Sequence, residues 1–115
     1  MTFAVASFDT LFDLVKTEAF GAFNSVMDTA RTVIIHQMRQ IASVVWDVID
    51  GLAEDDYTPG GAAQLLDMAR RAVATVISGA TGLLFTEVEA AVNRIYDALR
   101  NFLSGAINLA LDPVL

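Results

Sequence analysis

From residue 8 to residue 52 the apolar positions keep one beat: Phe8, Phe12, Val15, Ala19, Phe23, Val26, Ala30, Ile34, Gln37, Ile41, Val45, Val48 and Leu52. The steps run four, three, four and then repeat, so the pattern returns every 11 residues, and Gln37 alone on this line is polar. Eleven residues over three turns is about 3.67 per turn, close to the helix's own 3.6, so the stripe stays on one side of a nearly straight helix. Met27, Met38 and Ile49 widen it by one column, and Phe20, Ile35 and Trp46 stand further round. Most charged residues, from Asp9 and Asp13 to Asp47 and Asp50, fall on the opposite side. The pattern predicts an amphipathic helix over about 8–53, with Ser7 or Thr2 at its start and Gly51 near its end. Gly21 inside that helix costs about 1 kcal/mol relative to alanine and is expected to mark a close approach by a neighbouring helix.

Residues 54–58 form the one clear connection. Thr58 is a good N-cap, and Pro59 suits the first helical position, where a missing N–H costs nothing. A second arm over about 59–110 then repeats the rhythm through Ala62, Leu66, Ala69, Val73, Ile77, Ala80, Leu84, Val88, Ala91, Ile95, Leu99, Phe102 and Ala106. Ala69, Ala80 and Ala91 recur 11 apart, a spacing of small side chains where two backbones can approach closely. Asp67, Arg70, Arg71, Glu89, Asp97 and Arg100 take the other face. Gly79 and Gly82, followed by a capping-box pattern at residues 86–89, offer an alternative in which this arm is kinked or split near 79–82 into helices of about 59–78 and 84–108. The unbroken phase of the stripe favours continuity, with Asp112-Pro113 closing the helical region. The expected fold is all-α: a single domain over 1–115, built as an antiparallel hairpin of two long helices, each roughly 65–70 Å, packing into a multi-helix bundle by oligomerisation.

Composition sharpens this. The chain is 55% hydrophobic and only 18% charged, more apolar surface than a two-helix unit can cover alone, so burial against another chain or a lipid-like surface is expected. The residues expected to carry that packing or oligomer interface are Phe8, Phe12, Phe23, Ile34, Ile41, Val45, Trp46, Leu66, Ala69, Val73, Ile77, Ala80, Leu84, Ala91, Ile95, Leu99 and Phe102. With 7 basic and 14 acidic residues the formal charge is −7, which disfavours nucleic acid and anionic membranes. Residues 1–8 lack the basic and apolar regions of a secretory signal, so a cytoplasmic or particle-bound location is preferred over secretion. The longest uncharged stretch, residues 72–86, would span about 22 Å as helix, short of the roughly 30 Å hydrocarbon core, so no transmembrane segment is expected.

Candidate chemistry is sparse. There is no cysteine, and His36 is the single histidine, with no metal-ligand spacing around it. Glu54, Asp55 and Asp56 lack the alternation and central glycine of a calcium loop and read as a solvated turn. Residues 58–61 and 79–82 are too short and too lysine-poor for phosphate loops. Gln37 and Glu87 interrupt the stripe, either at its edge or as polar residues that set register in an assembly. Titratable groups fall on the solvent faces rather than converging, so no enzyme activity, metal or cofactor is expected.

The expected role is a structural or assembly protein that self-associates through its stripes into a homo-oligomer or polymer. The 11-residue, three-turn period is also similar to that of exchangeable apolipoproteins, perilipins and synucleins, and that resemblance implies an amphipathic coat on a lipid or other hydrophobic surface. Those families flank the apolar face with lysines, whereas this chain has only Lys16. A bundle that carries a small apolar ligand is the third expectation.

Overall fold

The computed structural model describes residues 8–102. Four α-helices follow in order: α1 (Phe8–Ala22), α2 (Met27–Ala53), α3 (Pro59–Thr81) and α4 (Phe85–Phe102), with a single 3₁₀ turn at Asn24–Val26 between the first two. No strand occurs among the described residues. The expected all-α class is present, but each of the two long arms is folded in half. The longest dimension is 41 Å, which leaves no room for rods of 65–70 Å. The part of the second arm beyond Phe102, its close at Asp112-Pro113 and the starting caps at Ser7 or Thr2 lie outside the described residues.

The first arm turns at residues 23–26. Phe23 (φ −112°, ψ 26°) and Val26 (φ −119°, ψ 4°) leave helical geometry around Asn24 and Ser25, whose side chains compete for backbone hydrogen bonds and favour turns over helix interiors. The turn preserves the phase of the stripe: Phe23 is buried and Val26 half-buried. Gly21 is exposed, and a methyl group there would meet nothing, so the close approach expected at this glycine is absent. A smaller kink at Ala30 (φ −123°, ψ 16°) bends α2 one turn later.

The second arm breaks at Gly82, which adopts the left-handed conformation (φ 76°) that glycine reaches without steric cost. Its N–H donates to Ser78 O at 3.0 Å. The Thr81 hydroxyl donates to Ile77 O (2.7 Å) and accepts from Leu83 N (3.2 Å), while the Ser78 hydroxyl donates to Leu83 O (2.8 Å). Leu84 O then accepts from Glu87 N and Val88 N, so α4 starts before Thr86, inside which the capping-box pattern falls.

At the remaining connection, Thr58 caps α3 by accepting from Gly61 N at 3.0 Å, with Pro59 next in the first helical turn. Helix α2 runs past Gly51 to Ala53, and Gly51 has a different task. Its carbonyl accepts from Asp56 N (2.7 Å) and Tyr57 N (3.3 Å), and the Tyr57 ring lies where a side chain on residue 51 would project. Gly51→Ala is therefore expected to displace Tyr57 and lower stability by about 1–2 kcal/mol, despite alanine's better helix propensity. A denaturant midpoint equal to or above the wild type would contradict this contact.

All neighbouring helices run antiparallel. Arg39 lies over Phe12 and Arg31 over Phe20, so positions ascend on α2 as they descend on α1. Arg70 pairs with Glu89, and Tyr96 reaches back to Leu66, which orders α3 against α4 in the same sense. Helix α1 packs on α2 and α4, and α3 packs on α2 and α4, forming an up-down-up-down square. Most described positions of the two stripes point inward. Phe12, Phe23, Ile34, Ile41, Val45, Leu66, Val73, Ile77, Ala91, Ile95 and Leu99 are all buried within one chain. The square thus covers the apolar surface that a two-helix hairpin would have left for a partner. Phe8, Trp46 and Ala69 are half-buried, whereas Ala80 and Leu84 are exposed. Ala80 seats no close helix contact within the chain, because α3 ends one residue later. The side chain of Phe102 lies outside the described set.

Candidate functional site

Two features remain once the core is accounted for: a polar network between α3 and α4, and a groove between α2 and α3.

The network centres on Arg70, which the sequence places on a solvent face and the fold buries at 8% exposure. A helix in a square has neighbours on two sides, and α4 closes over the side of α3 that carries Arg70. One guanidinium N–H donates to Glu89 Oε2 at 3.0 Å and another to Asp67 Oδ1 at 2.8 Å. Arg71 holds the second Asp67 oxygen at 3.1 Å. The hydrogen bond from Arg70 is the main cause that keeps the Asp67 carboxyl below its ordinary value, against the opposing effect of partial burial. Burial opposes the charge on Arg70, and the hydrogen bonds to Asp67 and Glu89 outweigh it. Nearby, the fully buried Tyr96 donates its O–H to Leu66 O at 3.0 Å, and burial pushes its pKa up. A phenol held in its neutral form and a guanidinium paired with two carboxylates through its terminal nitrogens neither accept nor release protons near neutral pH. Their effect is to fix α3 against α4.

The groove is a different kind of surface. From α3, Leu65, Met68, Ala69, Ala72, Val73 and Val76 recur at helical spacing and form one wall and the floor; from α2, His36, Gln37, Gln40 and Val44 form the other wall. It encloses about 510 Å³ and is predominantly apolar. Met68 is 66% exposed, and Leu65 and Val76 are also exposed, so three large apolar side chains stand together at its edge. The small Ala69 and Ala72 leave the hollow between them. His36 and Gln40 are exposed and Gln37 half-buried, so Gln37 belongs to the groove wall rather than the core. No Asp, Glu, Lys or Arg side chain lines it.

Of the interface residues named from sequence, the groove contains Ala69 and Val73. Leu65, Met68, Ala72 and Val76 lie one column away from the main stripe, and their signal was the steady i, i+3, i+7, i+11 spacing of apolar residues from Leu65. Among the described residues no group of three or more His, Asp or Glu side chains converges to hold a metal ion, and no helix is long and apolar enough to cross a membrane.

Compared with family models, with curated proteins and with solved structures, the chain matches none. Its own geometry therefore carries the functional reading.

Proposed function

We propose that this protein is a non-enzymatic helical-bundle subunit that works by association, joining a second copy of itself through the α2–α3 groove. The observation that carries this is the grouping of exposed Leu65, Met68 and Val76 around the Ala69–Ala72 hollow. Each copy then supplies both projecting side chains and the depression that receives them, the self-complementarity a two-fold interface requires. Two chains of formal charge −7 repel on average, and a face lined by no Asp, Glu, Lys or Arg keeps that repulsion out of the contact itself. The 11-residue beat enters here in its remaining form, because Leu65 with Val76 and Ala69 with Ala80 extend it along the outer side of α3. Helical continuity through both arms is not required for such an assembly, which uses α3 alone as its ridge.

The test is size exclusion with light scattering across a concentration series. The wild type is expected to shift towards twice the chain mass as concentration rises. Met68→Asp, at an exposed position, is expected to remain monomeric with an unchanged melting temperature. A wild type that stays monomeric at every concentration, or a Met68→Asp variant that still dimerises, would overturn the proposal.

A small apolar ligand is the second occupant this groove fits, because its volume lies within the range of small-molecule sites and His36, Gln37 and Gln40 supply a few polar contacts along one wall. A monomeric wild type whose melting temperature rises with an added apolar probe such as naphthalene, and whose Ala72→Trp variant loses that rise, would favour the ligand.

A further inference from the structure

The turn between α3 and α4 has a second apolar surface that the groove does not include. Leu83 points inward and packs on the core, whereas Leu84 is 67% and Phe85 41% exposed. The backbone that presents them is tied down by the Ser78 and Thr81 hydroxyls and the left-handed Gly82 described above, so the two side chains stand on a fixed turn. Because the helices run up, down, up and down, this turn shares one end of the bundle with the α1–α2 turn. That end is free of charge along both connections: residues 72–86 and residues 19–27 contain no acidic or basic side chain. The nearest charges are Glu18, Asp28 and Arg31 beside one turn, the Arg31 guanidinium lying 4.9 Å from the centre of the Phe20 ring, and Glu87 in the first turn of α4. Asp47, Asp50, Glu54, Asp55 and Asp56 cluster towards the opposite end.

We infer that the α3–α4 turn inserts Leu84 and Phe85 into the interface of an electrically neutral lipid surface, with the bundle standing on the end whose two connections carry no charge. A fluid interface accommodates two apolar side chains held on a turn, and interfacial anchoring needs them only about 5–10 Å deep. The first turn of α4 brings Glu87 about 5 Å behind Leu84, which limits insertion to that depth. The charge asymmetry selects the lipid. The acidic end is held away from the surface, and the overall charge of −7 opposes an anionic bilayer. Insertion at the tip differs from a flat amphipathic coat, since the long stripes are already used in the core. It also uses residues separate from the groove, so it stands or falls independently of self-association.

Flotation of the full chain with vesicles tests it. The wild type is expected to float with phosphatidylcholine vesicles and less with phosphatidylglycerol vesicles. The double variant Leu84→Ser/Phe85→Ser is expected to keep its helical circular dichroism and melting temperature, and to lose about tenfold in partitioning. Met68→Asp is expected to float like the wild type. In a Trp46→Phe/Phe85→Trp variant the fluorescence is expected to shift to the blue on adding phosphatidylcholine vesicles. Unchanged flotation of the double variant, a preference for phosphatidylglycerol, or a wild type left at the bottom of the gradient would each overturn the inference.

Discussion

Leu99→Ala is expected to lower stability by about 3 kcal/mol, while Leu84→Ala, on the same line of the sequence pattern, is expected to change it by less than about 0.5 kcal/mol. Leu99 is fully buried in α4, so truncation removes apolar contact and leaves a cavity that helices pinned on two sides cannot fully close. Leu84 lies at the tip, where its side chain is mostly in water. For a chain of this length the first change corresponds to a fall in melting temperature of roughly 12 °C. Thermal and urea unfolding of the two variants measure the difference directly. Equal effects would mean that the second arm is one uninterrupted packed helix and that the break at Gly82 does not form.

Arg70→Ala is expected to cost about 2 kcal/mol and to flatten the acid side of the stability profile. The guanidinium makes two charge-assisted hydrogen bonds, and its hydrocarbon stem fills space between α3 and α4. The loss stays below the 3–5 kcal/mol of a fully buried pair, because the Asp67 and Glu89 side chains are 33% and 37% exposed and water can solvate them once Arg70 is gone. Arg70→Met, which keeps the stem, should recover about half of the deficit. The pH dependence follows from Asp67. Its folded pKa lies below the ordinary 3.8, so the stabilisation it contributes is complete above that value and is lost as the pH falls through the folded value. Removing Arg70 removes the largest cause of that depression. The variant should therefore lose less stability than the wild type between about pH 5 and pH 2. Parallel acid-limb slopes in urea titrations would show that Asp67 is not coupled to Arg70 in solution.

Which side chains face inward was largely legible in the sequence, because burial depends on phase. Phe12, Phe23, Ile34, Ile41 and Val45 in the first arm, and Leu66, Val73, Ile77, Ile95 and Leu99 in the second, sit on the predicted lines and in the core. Where the chain turns was not legible from phase, since the first turn spans a number of residues that brings the stripe back inward. Phe23 remains buried and Val26 half-buried across it. The available signal there was chemical: Gly21, Asn24 and Ser25 within five residues form a breaker cluster stronger than the periodicity around them. At the second turn the glycines were visible, and the stripe itself fails locally, with Ala80 and Leu84 both in solvent. The candidate surfaces were harder to read. With two rods, each helix has one principal neighbour and one buried face. With four helices, each has two neighbours, so the buried arc of α3 widens to take in Arg70, and its outer column from Leu65 to Val76 becomes the wall of a groove.

The square also determines where the molecule is easiest to part. Three of its four helix contacts join segments consecutive along the polypeptide, so each can be made by closing a short connection. The contact of α1 with α4 is the exception: it joins the beginning of the described chain to its end. Separating that seam opens the bundle without undoing a single hairpin, whereas parting any other side pulls against a turn. Closing the α1–α4 seam spans the longest stretch of chain and so carries the largest loop-closure cost of the four contacts.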